Sequence, residues 1–169
     1  MKHVLSFLIT GSLLAMLACN NQPASTDAAS ASSGDAMAAK NLENYHKIDN
    51  AFSTGDISQI DDLVAADFVD HTDKGDMGRD SLKAMITMMH NTMPDVKSET
   101  VRALADSQYV FALMHWTGTS NGNMGMPSGP VDMKAIEVVR YSNGKAVEHW
   151  TYMEPSEMMK MMPQQSGSK

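Results

Sequence analysis

The strongest constraint on the fold is a hairpin signal near the C-terminal end of the chain. Asn143-Gly144 suits the centre of a type I′ turn, because both residues tolerate the positive φ that this turn requires. Apolar runs flank the pair, at 136–141 before it and 146–153 after it. The pattern predicts two antiparallel strands that close a sheet.

The second strand of this hairpin has one unusual face. Alternation puts two carboxylates and two aromatic rings on that face: Glu148, Trp150, Tyr152 and Glu154. Two interpretations stay open. The face lines a ligand cavity as an apolar wall with an acid at its lip, or it meets solvent with two carboxylates at its rim.

The rest of the domain has helical patterns first and strand patterns afterwards. Apolar spacing predicts a helix around 42–52, a short second helix capped by Asp56, and a third between Gly78 and Pro94. Strand patterns follow at 96–104, 109–119 and 131–141, and a last short helix at 156–162. This order predicts an α+β fold, with helices packed on one face of an antiparallel sheet. The predicted domain spans 39–162.

Both ends of the chain differ from this domain. Residues 1–19 have an apolar run that ends in Met16-Leu17-Ala18-Cys19, which resembles the lipobox of a bacterial lipoprotein signal. The resemblance implies a lipid on Cys19. Residues 20–38 have almost no large apolar side chains and are predicted to be a disordered tether, and 163–169 a disordered tail.

Composition narrows the function. The net charge of −7 and the pI near 5.2 argue against a nucleic-acid partner, because no basic stripe exists to neutralise phosphates. The single cysteine forms no internal disulfide, and no glycine-rich phosphate loop follows a strand. Neither a nucleotide cofactor nor nucleophilic cysteine chemistry is therefore expected.

Several short motifs occur in a familiar order between about Asn41 and Glu154. They are Phe68-Val69-Asp70-His71, Gly78-Arg79, Met93-Pro94-Asp95, Gly118-Thr119, Pro127-Ser128-Gly129, Asn143-Gly144-Lys145 and Glu148-His149-Trp150. An acid follows that tryptophan four residues later. The ordered set resembles the SnoaL-like polyketide cyclase and ester cyclase family, within the nuclear transport factor 2-like superfamily.

This resemblance implies a cone: a curved antiparallel sheet wrapped against three N-terminal helices around a deep, mostly apolar pocket. Well-known members close polyketide rings by aldol chemistry without a metal or a cofactor. The family's general acid/base corresponds here to Glu154, a glutamate in place of the usual aspartate. Ser120 stands where the family often has a histidine, which weakens the case for cyclisation.

Candidate site residues follow from the motifs and the strand pattern. Glu154 is the predicted base, because the apolar wall of Trp150 and Tyr152 would raise its pKa. The alternative is a carboxylate at the rim that caps the last helix, since Glu154-Pro155-Ser156 is also typical of a helix start. His71 matches a family histidine and is predicted to donate to a substrate oxygen. The remaining predicted ligand contacts are Glu148, His115 and Trp116. His115 and Trp116 alternate on one strand, so only one of them faces the pocket, and the sequence does not decide which.

The 17 methionines suggest a different class of function. Thioethers suit Cu(I), and 158–162 together with Met124 and Met126 are the candidates. Methionines at 85–93 fall on or beside a helix stripe, which is most simply explained by a core. No spacing of His and Met repeats as in a dedicated site, so no metal is predicted.

The sequence therefore predicts an exported protein, lipid-anchored in the bacterial cell envelope on its periplasmic or cell-surface side. It would bind a small apolar or aromatic ligand, with cyclase-type or isomerase-type catalysis that needs no cofactor. The alternative is a non-catalytic ligand-binding or dimerisation module. The resemblance also implies a homodimer formed through the outer face of the sheet.

Overall fold

A computed structural model describes residues 26–162. The elements in chain order are α1 (Thr26–Thr54), α2 (Ile60–Leu63), β1 (Val64–Thr72), β2 (Gly75–Met77), α3 (Arg79–Thr92), β3 (Lys97–Ala105), β4 (Tyr109–Ser120), β5 (Gly129–Ser142), β6 (Lys145–Tyr152) and α4 (Pro155–Met161). The predicted export signal with Cys19, the first residues of the tether and the C-terminal tail lie outside the described residues.

The strands form one six-stranded sheet in the order β2-β1-β6-β5-β4-β3. β1 runs parallel to β6, and the other neighbouring pairs are antiparallel. α1 packs on β3 and β4, and α3 packs on β1 and α1. We call the side of the sheet beneath these helices the inner face and the other side the outer face. The α+β architecture predicted from the sequence is confirmed.

Alternation along the two longest strands separates the core from the outer face. On β4 the inner residues are Val110, Ala112, Met114 and Trp116, all less than a tenth exposed. On β5 the inner row is Met133, Ala135, Val139 and Tyr141, with Glu137 in the middle of it. Leu82 and Ile86 of α3 and Tyr45 of α1 close the core from above. Burial of this apolar surface is the main force that holds helices and sheet together.

The predicted β5–β6 hairpin is confirmed. Asn143 and Gly144 have φ angles of 52° and 78°, as a type I′ turn requires. A bulge follows, because Tyr141 pairs with Ala146 whereas Arg140 pairs with Glu148, so that Val147 is an extra residue. Ala146 and His149, three positions apart, consequently both line the space beneath the helices.

The helix bounds differ from the predicted ones in two places. α1 begins at Thr26 and so extends into the segment predicted to be a disordered tether. That segment is rich in alanine, which favours a helix, but it has no apolar period to indicate one. Asp56 does not cap α2, which begins after Gln59; its carboxylate instead accepts a hydrogen bond from the Ser58 N–H at 2.9 Å. α3 ends at Thr92, before Pro94, as predicted.

Within residues 26–162 the structure contains no helix with both the length and the apolar character needed to cross a membrane.

Candidate functional site

A small cavity lies between the inner face and the helices; we call it the inner cavity. Its lining residues come from α1, β1, α3, β5 and β6: Tyr45, Ile48, Asp49, Phe52, Val64, Phe68, Leu82, Glu137, Val139, Ala146 and His149. Its volume is about 40 Å³, whereas pockets for drug-sized ligands measure about 300–1,000 Å³. The inner cavity is therefore much smaller than the deep pocket that the family resemblance implied, and its walls include the aromatic residues Tyr45, Phe52 and Phe68.

His149, which lines one side of this cavity, is paired with an aspartate. His149 of β6 and Asp70 of β1 are direct neighbours across the parallel strand pair. The His149 Nδ1 lies 2.8 Å from Asp70 Oδ1, and the two side chains are only 16% and 6% exposed. A buried carboxylate in this position holds Nδ1–H as the donor and leaves Nε2 free to exchange a proton.

The charge state of His149 reflects competing effects. Burial by itself would lower its pKa, but the hydrogen bond to Asp70 and the negative charges of Glu137 and Asp70 outweigh burial and raise the pKa. The Nε2 atom has only a weak contact, with Thr151 Oγ1 at 3.4 Å. His149 is thus a strongly oriented base whose second nitrogen makes no short hydrogen bond among the described contacts.

Glu137 is the carboxyl group of the inner cavity. Burial raises its pKa, against the opposing effects of the His149 charge and of a hydrogen bond from Tyr45. The Tyr45 hydroxyl donates to Glu137 Oε2 at 2.7 Å and also lies 2.8 Å from Met114 Sδ. A carboxyl with a raised pKa beside an oriented imidazole is a combination that supports acid/base chemistry.

A second carboxylate, Asp49 of α1, is held by the neighbouring strand. It accepts hydrogen bonds from the hydroxyls of Ser98 and Thr100, and Ser98 Oγ in turn accepts from Trp116 Nε1 at 2.6 Å. Burial raises the pKa of Asp49, and the two hydroxyls partly oppose this. The network ties α1 to β3 and β4 and fixes the helix that carries Tyr45.

The predicted aromatic wall lies on the wrong face. Trp150 is on the outer face, where its ring stacks on His71 with centroids 4.7 Å apart and planes at 18°. Tyr152 is 58% exposed. Glu148 is paired with Arg140, whose Nε lies 2.8 Å from Glu148 Oε2. On β6 it is His149, between Glu148 and Trp150, that turns inward, because the side chains of a strand alternate.

The remaining predicted residues are also away from the inner cavity. His71 Nδ1 lies 3.0 Å from Asp76 Oδ1. Glu154 is exposed at the N-cap of α4, where its carbonyl accepts hydrogen bonds from the N–H groups of Glu157 and Met158. Its role as a base stays a prediction, but it lacks the dry wall on which that prediction depended.

The two candidates on β4 are now distinguished. Trp116 points inward and is 8% exposed, whereas His115 is on the outer face with its Nε2 3.0 Å from Asp132 Oδ1. Trp116 holds Ser98 instead of lining the cavity.

Sequence reasoning missed Tyr45, Asp70, Glu137 and His149 as site residues. Asp70 and His149 belong to motifs that were recognised, but the neighbouring members of each motif were chosen. The face of β6 depends on which side the helices cover, which no local pattern reveals. Glu137 did have a signal: it shares the parity of the apolar row Ala135, Val139 and Tyr141, where an acid is out of place.

A protein-family model matches most of the described residues. Residues 43–162 match the family described as SnoaL-like polyketide cyclase. The chain belongs to that family. No curated protein sequence matches the chain.

Solved structures resemble this SnoaL-like fold at low sequence identity. Wild-type IdmH from Streptomyces antibioticus is 21% identical, with a TM-score of 0.60 over 72% of this chain and 96% of IdmH. Bal32a from a soil-derived mobile gene cassette is 18% identical, with a TM-score of 0.63 over 75% and 99% of the two chains. A SnoaL-like polyketide cyclase from Agrobacterium tumefaciens is 13% identical, with a TM-score of 0.62 over 71% and 95%. At these identities the likeness concerns the fold.

Proposed function

We propose that the protein is a cofactor-independent acid/base catalyst that moves a proton next to a carbonyl group, with His149 as the base. The observation that carries this proposal is the Asp70–His149 pair, which borders a small apolar cavity that also contains Glu137. The family supports ligand binding and chemistry of this kind.

The proposed step moves two protons. The reactive form has one proton for the two groups, on the Glu137 carboxyl, so that His149 Nε2 is neutral. His149 Nε2 takes a proton from the carbon beside the carbonyl, and the Glu137 carboxyl gives its proton to the carbonyl oxygen, so that an enol forms and His149 ends protonated. Reversal at a different carbon gives isomerisation, and attack of the enol carbon on a second carbonyl of the same molecule gives ring closure. Asp70 acts as a positioning residue that keeps Nδ1 protonated.

The cavity limits what can react. A cavity of about 10–15 Å³ holds one water molecule. The inner cavity, at about 40 Å³, therefore admits only the reacting carbonyl end of a substrate. A larger apolar or aromatic body has to displace side chains such as Phe52 or Phe68. We therefore propose a small ketone or 1,3-diketone, or the ketone end of a larger molecule, as the substrate class.

Exchange of carbon-bound protons tests the proposal directly. A panel of small ketones and 1,3-diketones is incubated with the protein in D₂O, and loss of the α-proton signals is followed by NMR. The wild type accelerates exchange for at least one of them. His149→Gln keeps the size of the side chain and should lower that rate by about 10²- to 10⁴-fold.

The matched control is Glu154→Gln, which removes the base predicted from the sequence. We expect its exchange rate to equal that of the wild type. Loss of exchange in Glu154→Gln with full exchange in His149→Gln would reverse the assignment. No acceleration by the wild type across the panel would leave the protein a binding module.

A homodimer formed through the outer face is a second proposal, supported by an exposed apolar patch. Two cross-strand rows form this patch, Phe111–Val138–Trp150 and Leu113–Ile136–Tyr152. Phe111, Ile136 and Tyr152 are 47%, 48% and 58% exposed. The nearby charges Arg140 and Glu148 neutralise each other, which leaves a patch that suits a second copy of itself.

Ile136→Lys tests this interface, because it puts a charge at the centre of the patch. Sedimentation velocity should give a dimer for the wild type and a monomer for the variant. Met88→Lys changes a residue of similar exposure on α3, and we expect it to remain dimeric. A wild type that sediments as a monomer would refute the proposal.

Anchoring in the bacterial envelope through lipid on Cys19 is also a proposal, supported only by the sequence of the first 19 residues. Growth of the producing bacterium with an alkyne-labelled fatty acid should label the wild type but not Cys19→Ser. An unlabelled wild type would contradict lipidation.

A further inference from the structure

A second cavity lies at the other end of the sheet, and we call it the methionine cavity. Its walls come from the β4–β5 loop, the start of β5 and α4: Met126, Pro127, Pro130, Val131, Asp132, Met133, Lys160 and Met161. Its volume is about 330 Å³, and it shares no lining residue with the inner cavity. The proposed catalysis makes no use of it.

Three methionines from separate parts of the chain line this cavity. Met126 belongs to the loop, Met133 to β5 and Met161 to α4. Met133 is only 3% exposed, so its side chain is held within the fold. Sulfur of this kind is a soft ligand that prefers Cu(I) to harder divalent ions. Met133 also belongs to the hydrophobic core and Met161 packs against it, so these two residues both fill the core and border the cavity.

The charged residues at the wall are already paired. Lys160 Nζ donates to both Glu157 carboxylate oxygens, at 2.9 and 3.0 Å, and to the Asp132 carbonyl at 3.2 Å. The Asp132 carboxylate is bonded to His115 Nε2. A monovalent cation would therefore not meet an unpaired lysine charge.

The donor set also discriminates among metals. The lining contains no imidazole and no thiolate. Across residues 26–162, no three His, Cys, Asp or Glu side chains are grouped in a way that would hold a metal ion. A site for Zn²⁺ or Cu²⁺ uses those ligands, whereas thioethers alone select a soft monovalent ion.

We propose that the methionine cavity binds Cu(I) through the thioethers of Met126, Met133 and Met161. Met126 follows a sharp turn of the loop, in which Met124 and Gly125 have φ angles of 57° and 74°. Binding involves no change of oxidation state, so the site holds or transfers Cu(I) without a redox step.

A competition titration tests the site. The full chain in detergent is titrated without oxygen with Cu(I) against the chromogenic chelator bicinchoninate, and the stoichiometry is read by native mass spectrometry. We expect one Cu(I) per chain. The triple variant Met126→Leu, Met133→Leu and Met161→Leu, which keeps apolar volume, should weaken binding at least tenfold.

A matched triple variant separates the site from the general abundance of methionine. Met88, Met158 and Met159 are 50%, 46% and 61% exposed and do not line the cavity. Their replacement by leucine should leave the Cu(I) affinity unchanged. Absence of Cu(I) binding by the wild type, or equal loss in both triple variants, would overturn the proposal.

X-ray absorption on the wild-type complex keeps the test independent of whether the variants fold. Only sulfur neighbours around copper are expected, and a nitrogen or oxygen first shell would overturn the proposal. His149→Gln should bind Cu(I) like the wild type, which separates this site from the inner cavity.

Discussion

The two faces of β6 carry similar chemistry in opposite surroundings. On the outer face, Glu148 is paired with Arg140, and Trp150 stacks on His71 at the edge of solvent. On the inner face, His149 is held by Asp70 beneath the helices. Each face thus contains a pair of ionisable side chains, but only the inner pair is largely desolvated.

Desolvation changes what each pair can do. The Arg140 guanidinium lowers the pKa of Glu148 and keeps it ionised, which suits a surface ion pair. In the cavity, burial raises the pKa of Glu137, and acidic neighbours raise that of His149 despite its burial. Groups whose pKa values are shifted by burial and by specific partners are candidates for proton transfer. Whether an ionisable side chain of β6 suits proton transfer therefore depends more on its position beneath the helices than on its residue type.

The largest expected effect comes from breaking the inner pair. Asp70→Asn keeps the shape but removes the charge that fixes His149, so the rate of proton exchange should fall by about 10²-fold or more. The pH profile of the remaining activity should move to lower pH, because Asp70 helps to raise the His149 pKa. Kinetics across a pH series measure both effects.

Glu148→Gln provides the outer-face control for that experiment. It also replaces an acid by its amide, but in the outer ion pair and on β6 itself. We expect wild-type exchange and an unshifted pH profile. A similar loss of activity in Asp70→Asn and Glu148→Gln would contradict the claim that only the inner pair takes part in proton transfer.

A smaller effect is expected from two adjacent residues of β4. Met114 is 0% exposed on the inner face, and Leu113 is 39% exposed on the outer face. Met114→Ala should lower the free energy of unfolding by about 2–5 kcal/mol, because it leaves a cavity in the core. Leu113→Ala should cost about 1 kcal/mol or less.

Urea unfolding of both variants in the Ile136→Lys background measures these energies without a contribution from dimerisation. Equal losses would indicate that the outer face is as well packed as the core within one chain.

The sequence predicted the features that follow from local periodicity, but not the features that depend on tertiary packing. Alternation on β4 and the Asn143-Gly144 turn predicted strands and a hairpin, because these depend on local pattern, but left open which of His115 and Trp116 faces inward. The face of β6 depends on the helices and on the extra residue Val147, which are tertiary features. The size of the inner cavity depends on how aromatic rings fill it, and sequence resemblance carries no such information.

The pairing of Asp70 with His149 could not be predicted from the sequence either. It arises from a parallel contact between β1 and β6, which are separated by most of the domain. Local periodicity cannot indicate such a register, since the contact requires the whole chain to fold. For methionine, the sequence shows the abundance directly, but it does not show that Met126, Met133 and Met161 line one cavity.

The smallest expected difference between the two faces lies in how their ionisable groups change the free energy of unfolding with pH. Folding raises the pKa of Glu137 above its ordinary value of 4.5, so the folded state binds this proton more tightly than the unfolded chain. Stability should therefore fall as the pH rises above 4.5 through the folded-state pKa. The contribution of His149 is complete below 6.5 and is likewise lost as the pH rises through its folded-state pKa. Glu148 has the opposite sign, because its pKa is lowered: its contribution is present above 4.5 and is lost as the pH falls.

Urea unfolding across a pH series can separate these contributions. Glu137→Gln should flatten the decline of stability toward alkaline pH, because the amide does not titrate and still accepts the Tyr45 hydrogen bond. Glu148→Gln should leave that decline unchanged and should instead reduce the loss of stability on the acidic side. Asp49, whose pKa is also raised, keeps part of the alkaline decline in both variants. If both variants instead altered the free energy of unfolding on the same side of the pH range, that result would contradict the conclusion that Glu137 is desolvated in the inner cavity while Glu148 is solvated on the outer face.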